Sequence, residues 1–149
     1  MSVNSLSKKL LIKPGKSVLL VNSPQYYISL LEPLPEAVQI SFDTSGNYDL
    51  IQLFVLNNLE LKKELKNLQP YFQADTIIWI AYPKKTSGIA TDLGMMSSWE
   101  ETSKYGLRPV ASVAINESWT ALRFRPYDQI KNSDVSNSSI RENELSKYI

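Results

Sequence analysis

Two apolar runs with one amphipathic helix between them constrain this chain more than any other feature. Tyr48–Leu56 reads Tyr-Asp-Leu-Ile-Gln-Leu-Phe-Val-Leu, nearly continuous in apolar side chains. Alternating polar and apolar residues would mark a strand with one wet face; a continuous run marks a strand covered on both. A helix follows at once. Asn57 stands at the N-cap position and Glu60 three residues on, a box-like pairing that satisfies first-turn amides. Leu61, Leu65 and Leu68 fall at i, i+4 and i+7 and share one buried face. Lys62, Lys63 and Lys66 lie largely elsewhere and read as solvated. Pro70 ends the helix. Thr76–Ala81 is a second flat, apolar strand. Strand, helix and strand of this kind form the unit of a parallel sheet with helices on its faces.

The flanking segments extend the pattern. Residues 1–9 read as a loose polar start, before Pro14-Gly15 signals a turn. Lys16–Asn22 is a buried strand, broken by Ser23-Pro24, and Gln25–Leu31 is a short helix with Pro24 at its first position. Ala37–Phe42 is a second strand. The link from Phe42 to Tyr48 is short for a parallel crossover. Either the second strand is brief and the chain runs back beside the sheet, or the second and third strands pair antiparallel. After Lys84-Lys85 a helix is expected to about Tyr105, capped by Thr91 or Asp92, or by Ser97 with Glu100, and closed by Gly106. Leu107–Ile115 and Trp119–Phe124 read as a hairpin turning at Asn116-Glu117-Ser118. The expected organisation is a single α/β domain over residues 10–126. A polar tail follows over residues 127–149, with Ser139 and Glu142 able to cap a short helix ending near Tyr148.

Composition narrows the chemistry. Among 149 residues there is no cysteine and no histidine. Disulfides, thiol nucleophiles, Ser-His triads and His or Cys metal ligands are therefore excluded, with the usual general base near neutral pH. No acidic cluster suggests a metal site. The 16 basic and 15 acidic residues nearly cancel, which gives no reason to expect nucleic acid or an anionic membrane as partner. Leu10-Leu11-Ile12 is too short for a secretory core, and no apolar run approaches the roughly 20 residues needed to span a bilayer. The expectation is a soluble, cytoplasmic protein with no cofactor.

Ligands of open α/β sheets sit beyond the carboxyl ends of strands. At that edge the sequence places Asn22 after the first strand and Lys84, Lys85, Thr86 and Ser87 after the strand ending near Tyr82. Asn116 and Glu117 follow Ile115, and Trp119 begins the returning strand. One reading is a pocket for a small anionic ligand: the lysines supply charge, Thr86 and Ser87 donate hydrogen bonds, and Trp119 offers a stacking face. The other is structural. The lysines are then solvated loop charges, Ser87-Gly88 is turn chemistry, Thr91 and Asp92 only cap a helix, and Trp119 belongs to the core.

Two resemblances follow from these residues. Tyr48-Asp49 leading into Leu50–Phe54 looks like the fourth strand of the class I S-adenosylmethionine-dependent methyltransferases, and Gln73–Ala81 like the fifth. The resemblance implies a three-layer α/β fold, with a mostly parallel Rossmann-like sheet ending in a C-terminal antiparallel hairpin. The turn after the first strand, Asn22–Tyr27, lacks that family's glycines, and Asp43 is the one acidic residue placed to meet a ribose. The missing glycines also argue against a dinucleotide site. Over residues 8–126 the chain resembles the domain-of-unknown-function 3052 family of small bacterial proteins. The matching pieces are Leu11–Gly15, Asn22–Pro24, Pro83–Leu93 and Glu117–Phe124, with Asn116 where relatives carry an acid. That resemblance implies a methyltransferase-like fold and a bacterial cytosolic protein, and no activity.

Three functions are compatible with these features. The first is a non-catalytic ligand-binding or regulatory module. The second is a protein-interaction module working through the lysine loop and tail. The third is a divergent methyltransferase with an altered cofactor turn.

Overall fold

The computed structural model describes residues 3–94 and 99–126. Its elements in chain order are α1 (Ser5–Lys9), β1 (Ser17–Val21), α2 (Tyr27–Leu31), β2 (Gln39–Ser41), β3 (Leu50–Phe54), α3 (Asn58–Leu68), β4 (Ile77–Pro83), α4 (Glu100–Ser103), β5 (Leu107–Ala114) and β6 (Trp119–Pro126). The six strands form one sheet in the order β2-β1-β3-β4-β6-β5. β2, β1, β3 and β4 run parallel; β6 pairs antiparallel with both β4 and β5. No helix among the described residues is long and apolar enough to cross a membrane.

β3 is buried along its whole length, as its unbroken apolar run requires. Its odd and even positions feed two cores. Ile51 and Leu53 pack under α3 through Leu61, Leu65 and Leu68, joined by Trp99 and Phe124. Leu50 and Phe54 pack on the opposite face with Leu10, Tyr27, Leu31 and Trp79. Helices thus cover both sides of the sheet, the three layers expected.

The capping of α3 follows the expected chemistry. The Glu60 amide donates to Asn57 Oδ1 at 2.9 Å, and the Glu60 carboxylate accepts from the Leu56 amide at 2.9 Å. Gly106, at φ 72, closes the turn after α4 in the left-handed region.

Several expectations are corrected. Within the stretch expected to be loose, residues 5–9 form α1, and Asn4 Oδ1 caps it, accepting from the Leu6 amide at 2.8 Å. Ser7, polar but fully buried, donates its hydroxyl to the Leu31 carbonyl at 2.7 Å and ties α1 to α2. Pro24 does not open α2. Its carbonyl accepts from Tyr27 N at 3.0 Å in the preceding turn. The second strand is brief, and β2 and β3 do not pair at all; each lies parallel beside β1, on opposite sides. The helix expected to reach back toward Thr91 is a single turn, Glu100–Ser103. Thr91 and Asp92 do not cap it: the Thr91 hydroxyl accepts from Leu93 N, and Asp92 accepts from Asn58 N at the start of α3. The alternative cap Ser97, with the rest of residues 95–98 of the expected helix, and the tail over residues 127–149 lie outside the described residues.

One buried polar pair sits beneath α2. The Tyr27 hydroxyl donates to Gln52 Oε1 at 2.6 Å, and both side chains are fully buried. Gln52 Nε2 has no partner among the described residues. Burial pushes the Tyr27 phenol well above its ordinary 10.0, with the Gln52 bond opposing. Above pH 10.0 the unfolded chain releases this proton while the folded chain holds it. The unfolded state then binds fewer protons, and stability falls as pH rises. Tyr27→Phe is therefore expected to cost about 1–3 kcal/mol at neutral pH, by leaving the Gln52 amide wholly unsatisfied. It also flattens the alkaline loss. Denaturant titrations at neutral and alkaline pH check both.

Candidate functional site

The carboxyl ends of β1 and β3 and the start of β6 meet at one edge, because β6 runs antiparallel and Trp119 pairs with Pro83 at the end of β4. A cleft of about 550 Å³ opens there. Its apolar wall is Pro24, Phe54, Leu56 and Trp119; its polar wall is Asn22 with Glu60, Lys63 and Glu64 from the first two turns of α3. A smaller depression of about 320 Å³ shares Asn22 and Pro24 and extends to Phe42, just past β2. The two together run along the ends of four strands.

Asn22 holds a left-handed conformation, φ 60, directly after β1. Asparagine tolerates this region better than any residue but glycine. The backbone turn for which nucleotide-binding sheets use glycine is thus made here by a residue that also carries a side-chain amide. That amide donates to the Glu64 carboxylate and links the β1 turn to α3 across the cleft. Asn22→Val is expected to cost about 1–2 kcal/mol through its β-branched side chain in the left-handed region, whereas Asn22→Gly leaves the backbone unstrained. Urea denaturation of the two variants separates the backbone effect from loss of the amide.

Trp119 is 9% exposed and packs edge-on against Phe54 at 5.1 Å, which in turn meets Tyr27 at 4.7 Å. It belongs to the core and still lines the cleft. Asn116 organises the hairpin turn, its Oδ1 accepting from Ser118 N and Trp119 N at 2.9 Å.

The structure brings Asn22 and Trp119 together; it does not bring the remaining predicted residues into this cleft. Lys84 donates its backbone amide to the Ser118 carbonyl at 2.8 Å. Lys85, Thr86 and Ser87 form a tight turn ending at Gly88, φ 81, and Ser87 Oγ accepts from Ile89 N. Among the described residues neither lysine forms an ion pair. Glu117 is exposed at the hairpin tip. Sequence reasoning missed Glu60, Lys63 and Glu64. The signal was present: only three residues separate β3 from α3, so its first turns must overhang the strand ends.

The cleft thus sets one ammonium against two carboxylates, with Glu60 engaged by the Leu56 amide and Glu64 by Asn22. That is not the lining of a polyanion site. Among the described residues the exposed large apolar side chains are Tyr26, Phe42, Leu56, Leu59 and Ile89, and every one lies in a segment that follows a parallel strand. The edge that carries the cleft is therefore also the apolar edge.

No family model and no curated protein matches the sequence. Solved structures do match in shape. A protein of the NADB-Rossmann superfamily from Streptococcus agalactiae aligns with a TM-score of 0.52 at 10% identity, over 99% of this chain and 96% of that one. A SAM-dependent methyltransferase from Aquifex aeolicus aligns with a TM-score of 0.52 at 17% identity, over 80% and 86%. The DhpI–SAH complex aligns with a TM-score of 0.56 at 8% identity, over 83% and 82%. Such identities speak to architecture alone. The chain has the Rossmann-like fold of the SAM-dependent methyltransferases, a mostly parallel six-stranded sheet with an antiparallel C-terminal pair.

Proposed function

We propose that this chain is a small-molecule-binding or regulatory module whose ligand lies in the cleft over the strand ends. The observation that carries the reading is the convergence of Asn22, Phe54, Lys63, Glu64 and Trp119 at the edge where sheets of this kind bind ligands. The lining favours a ligand unlike the simple anion expected from Lys84 and Lys85. Phe54, Leu56 and Trp119 suit an apolar or aromatic body. Lys63 suits a carboxylate, and Glu64 suits an ammonium or sulfonium that shares it with Asn22. An amino-acid head on an aromatic body has this chemistry.

The second reading is a divergent S-adenosylmethionine-dependent methyltransferase. The matched structures favour it, one a SAM-dependent methyltransferase and one a complex with SAH. The positive φ of Asn22 favours it too, because the turn is formed without glycine. Asp43 weakens it. Asp43 lies two residues beyond β2 and does not line the depression beside Phe42, where a ribose partner would stand. Membership of the domain-of-unknown-function 3052 family, with its bacterial cytosolic setting, belongs to the same proposal and sits with either reading.

The test is thermal unfolding with S-adenosylmethionine, its demethylated product, free amino acids and nucleotides. A ligand at a hundredfold its Kd adds about 2.7 kcal/mol. For a domain of this length that raises Tm by roughly 5–10 °C. Leu56→Trp, which fills the cleft from a partly exposed position, is expected to abolish the shift. A ligand that stabilises both proteins equally would place its site elsewhere and defeat the proposal.

A further inference from the structure

The two side edges of the sheet are finished differently. β2 closes one of them with three residues, a length that offers little to another strand. β5 forms the other and is eight residues long. Among the described residues no strand pairs with its outer side. Its first half is blunted by Pro109 and by a break in register between Pro109 and Ala111. Its second half, Ala111–Ala114, has neither device. Ala111, Ser112 and Ala114 are exposed. Successive side chains of a strand point to opposite faces, so the end of the sheet is open on both faces as well as along its edge. No charged residue occurs from Pro109 to Asn116.

The ladder fixes which backbone groups are unpaired. The Trp119 carbonyl accepts from Ile115 N at 3.0 Å, and the Ser118 carbonyl accepts from Lys84 N at 2.8 Å. Odd residues of β6 therefore bond toward β5, and even residues toward β4. Val113 lies opposite Ala121 and bonds inward. Ser112 and Ala114 lie opposite Leu122 and Thr120, so their amides and carbonyls turn outward. Two outward-facing residues with one inward-facing residue between them make a pattern that pairs with itself about a two-fold axis. We infer that β5 is a homodimer interface, where a second copy of the chain adds its own β5 antiparallel, with the axis at Val113. Ser112 then exchanges both backbone bonds with Ala114 of the partner subunit, and two six-stranded sheets become one. Charge favours this occupant. The paired stretch is neutral, so no like charges meet at the axis. Arg125 stands beside the start of β5 and forms no ion pair among the described residues; Glu117 stands just past its end. Antiparallel pairing brings the acidic end of each copy to the basic end of the other.

Sedimentation equilibrium of the full chain across the micromolar range is expected to give twice the monomer mass. Ala114→Pro removes an outward donor and no bond to β6, so it keeps the sheet and is expected to return the mass to that of a monomer. The chain has no cysteine, so Val113→Cys places a single thiol at the axis. Facing residues of a non-hydrogen-bonded antiparallel pair have Cα atoms about 4.5 Å apart, within disulfide reach. Under mild oxidation Val113→Cys is expected to cross-link about tenfold faster or more than Leu59→Cys, an exposed site on α3, because the dimer holds its thiols together. This comparison stands whether or not Ala114→Pro folds. A monomeric chain, a dimer that a folded Ala114→Pro leaves intact, or equal cross-linking rates would each overturn the inference. A monomer whose Ser112 and Ala114 amides resist hydrogen exchange would overturn it too, by giving the edge to the residues after Pro126.

Discussion

Trp79→Ala is expected to lower the free energy of unfolding by about 3–5 kcal/mol, the range for deleting a buried aromatic side chain. Trp79 is 1% exposed in β4, between β3 and β6, so neighbouring strands cannot collapse into the space it leaves. Its indole also satisfies the Leu10 carbonyl, and losing that bond orphans a buried acceptor. Domains of this size have about 5–15 kcal/mol in all, so the variant sits near the folding threshold. Trp79→Phe separates the two effects: it restores most of the volume and none of the hydrogen bond. Equilibrium denaturation measures both. A loss under about 1 kcal/mol for the alanine variant would show that β4 is not packed as described.

Trp119→Ala is the second large effect, and it reaches function as well as stability. Phe54 meets both Tyr27 and Trp119 edge-on, so one substitution loosens a row of three rings. Edge-to-face pairs contribute about 0.5–1.5 kcal/mol beyond buried area, which adds to the cavity left behind. The expected loss of stability is about 3 kcal/mol or more. The ligand of the cleft loses part of its apolar wall, and its affinity falls about tenfold for each 1.4 kcal/mol of lost contact. Trp119→Phe keeps a ring in place and is expected to recover much of both. Denaturation and calorimetric titration of the pair are the measurements. Full ligand affinity in a folded Trp119→Ala protein would remove this residue from the site.

Much of the architecture was legible because the physics is local. An unbroken apolar run such as Leu50–Phe54 needs two covered faces. Leu61, Leu65 and Leu68 can be buried together only on a helix. The hairpin followed from the three polar residues between Ile115 and Trp119. What escaped was set by tertiary partners. α1 is too short to show periodicity, and its buried anchor is Ser7, a residue that reads as surface until the Leu31 carbonyl is brought to it. β2 gains its place by pairing with β1, so the short link to β3 never has to make a tight crossover between neighbours. Asp92 looked like the cap of its own helix, yet it serves α3, distant in sequence.

The site divides in the same way. Asn22 and Trp119 could be placed because each adjoins a strand end, and strand ends of a parallel sheet share an edge. Lys84 and Lys85 adjoin one too, but the turn through Ser87 and Gly88 takes the loop away from the cleft's lining. Charge drew attention to the lysines. The geometry of the β3–α3 junction selected Lys63 and Glu64 instead, residues that on the helical pattern alone belong to a solvated face.

Amide chemical-shift mapping of the ligand that stabilises the protein most tests the central claim most directly. The account predicts saturable shifts at Asn22, Leu56, Glu64 and Trp119, lost in Leu56→Trp. Shifts confined to Lys84–Ser87, with the cleft residues silent, would contradict it.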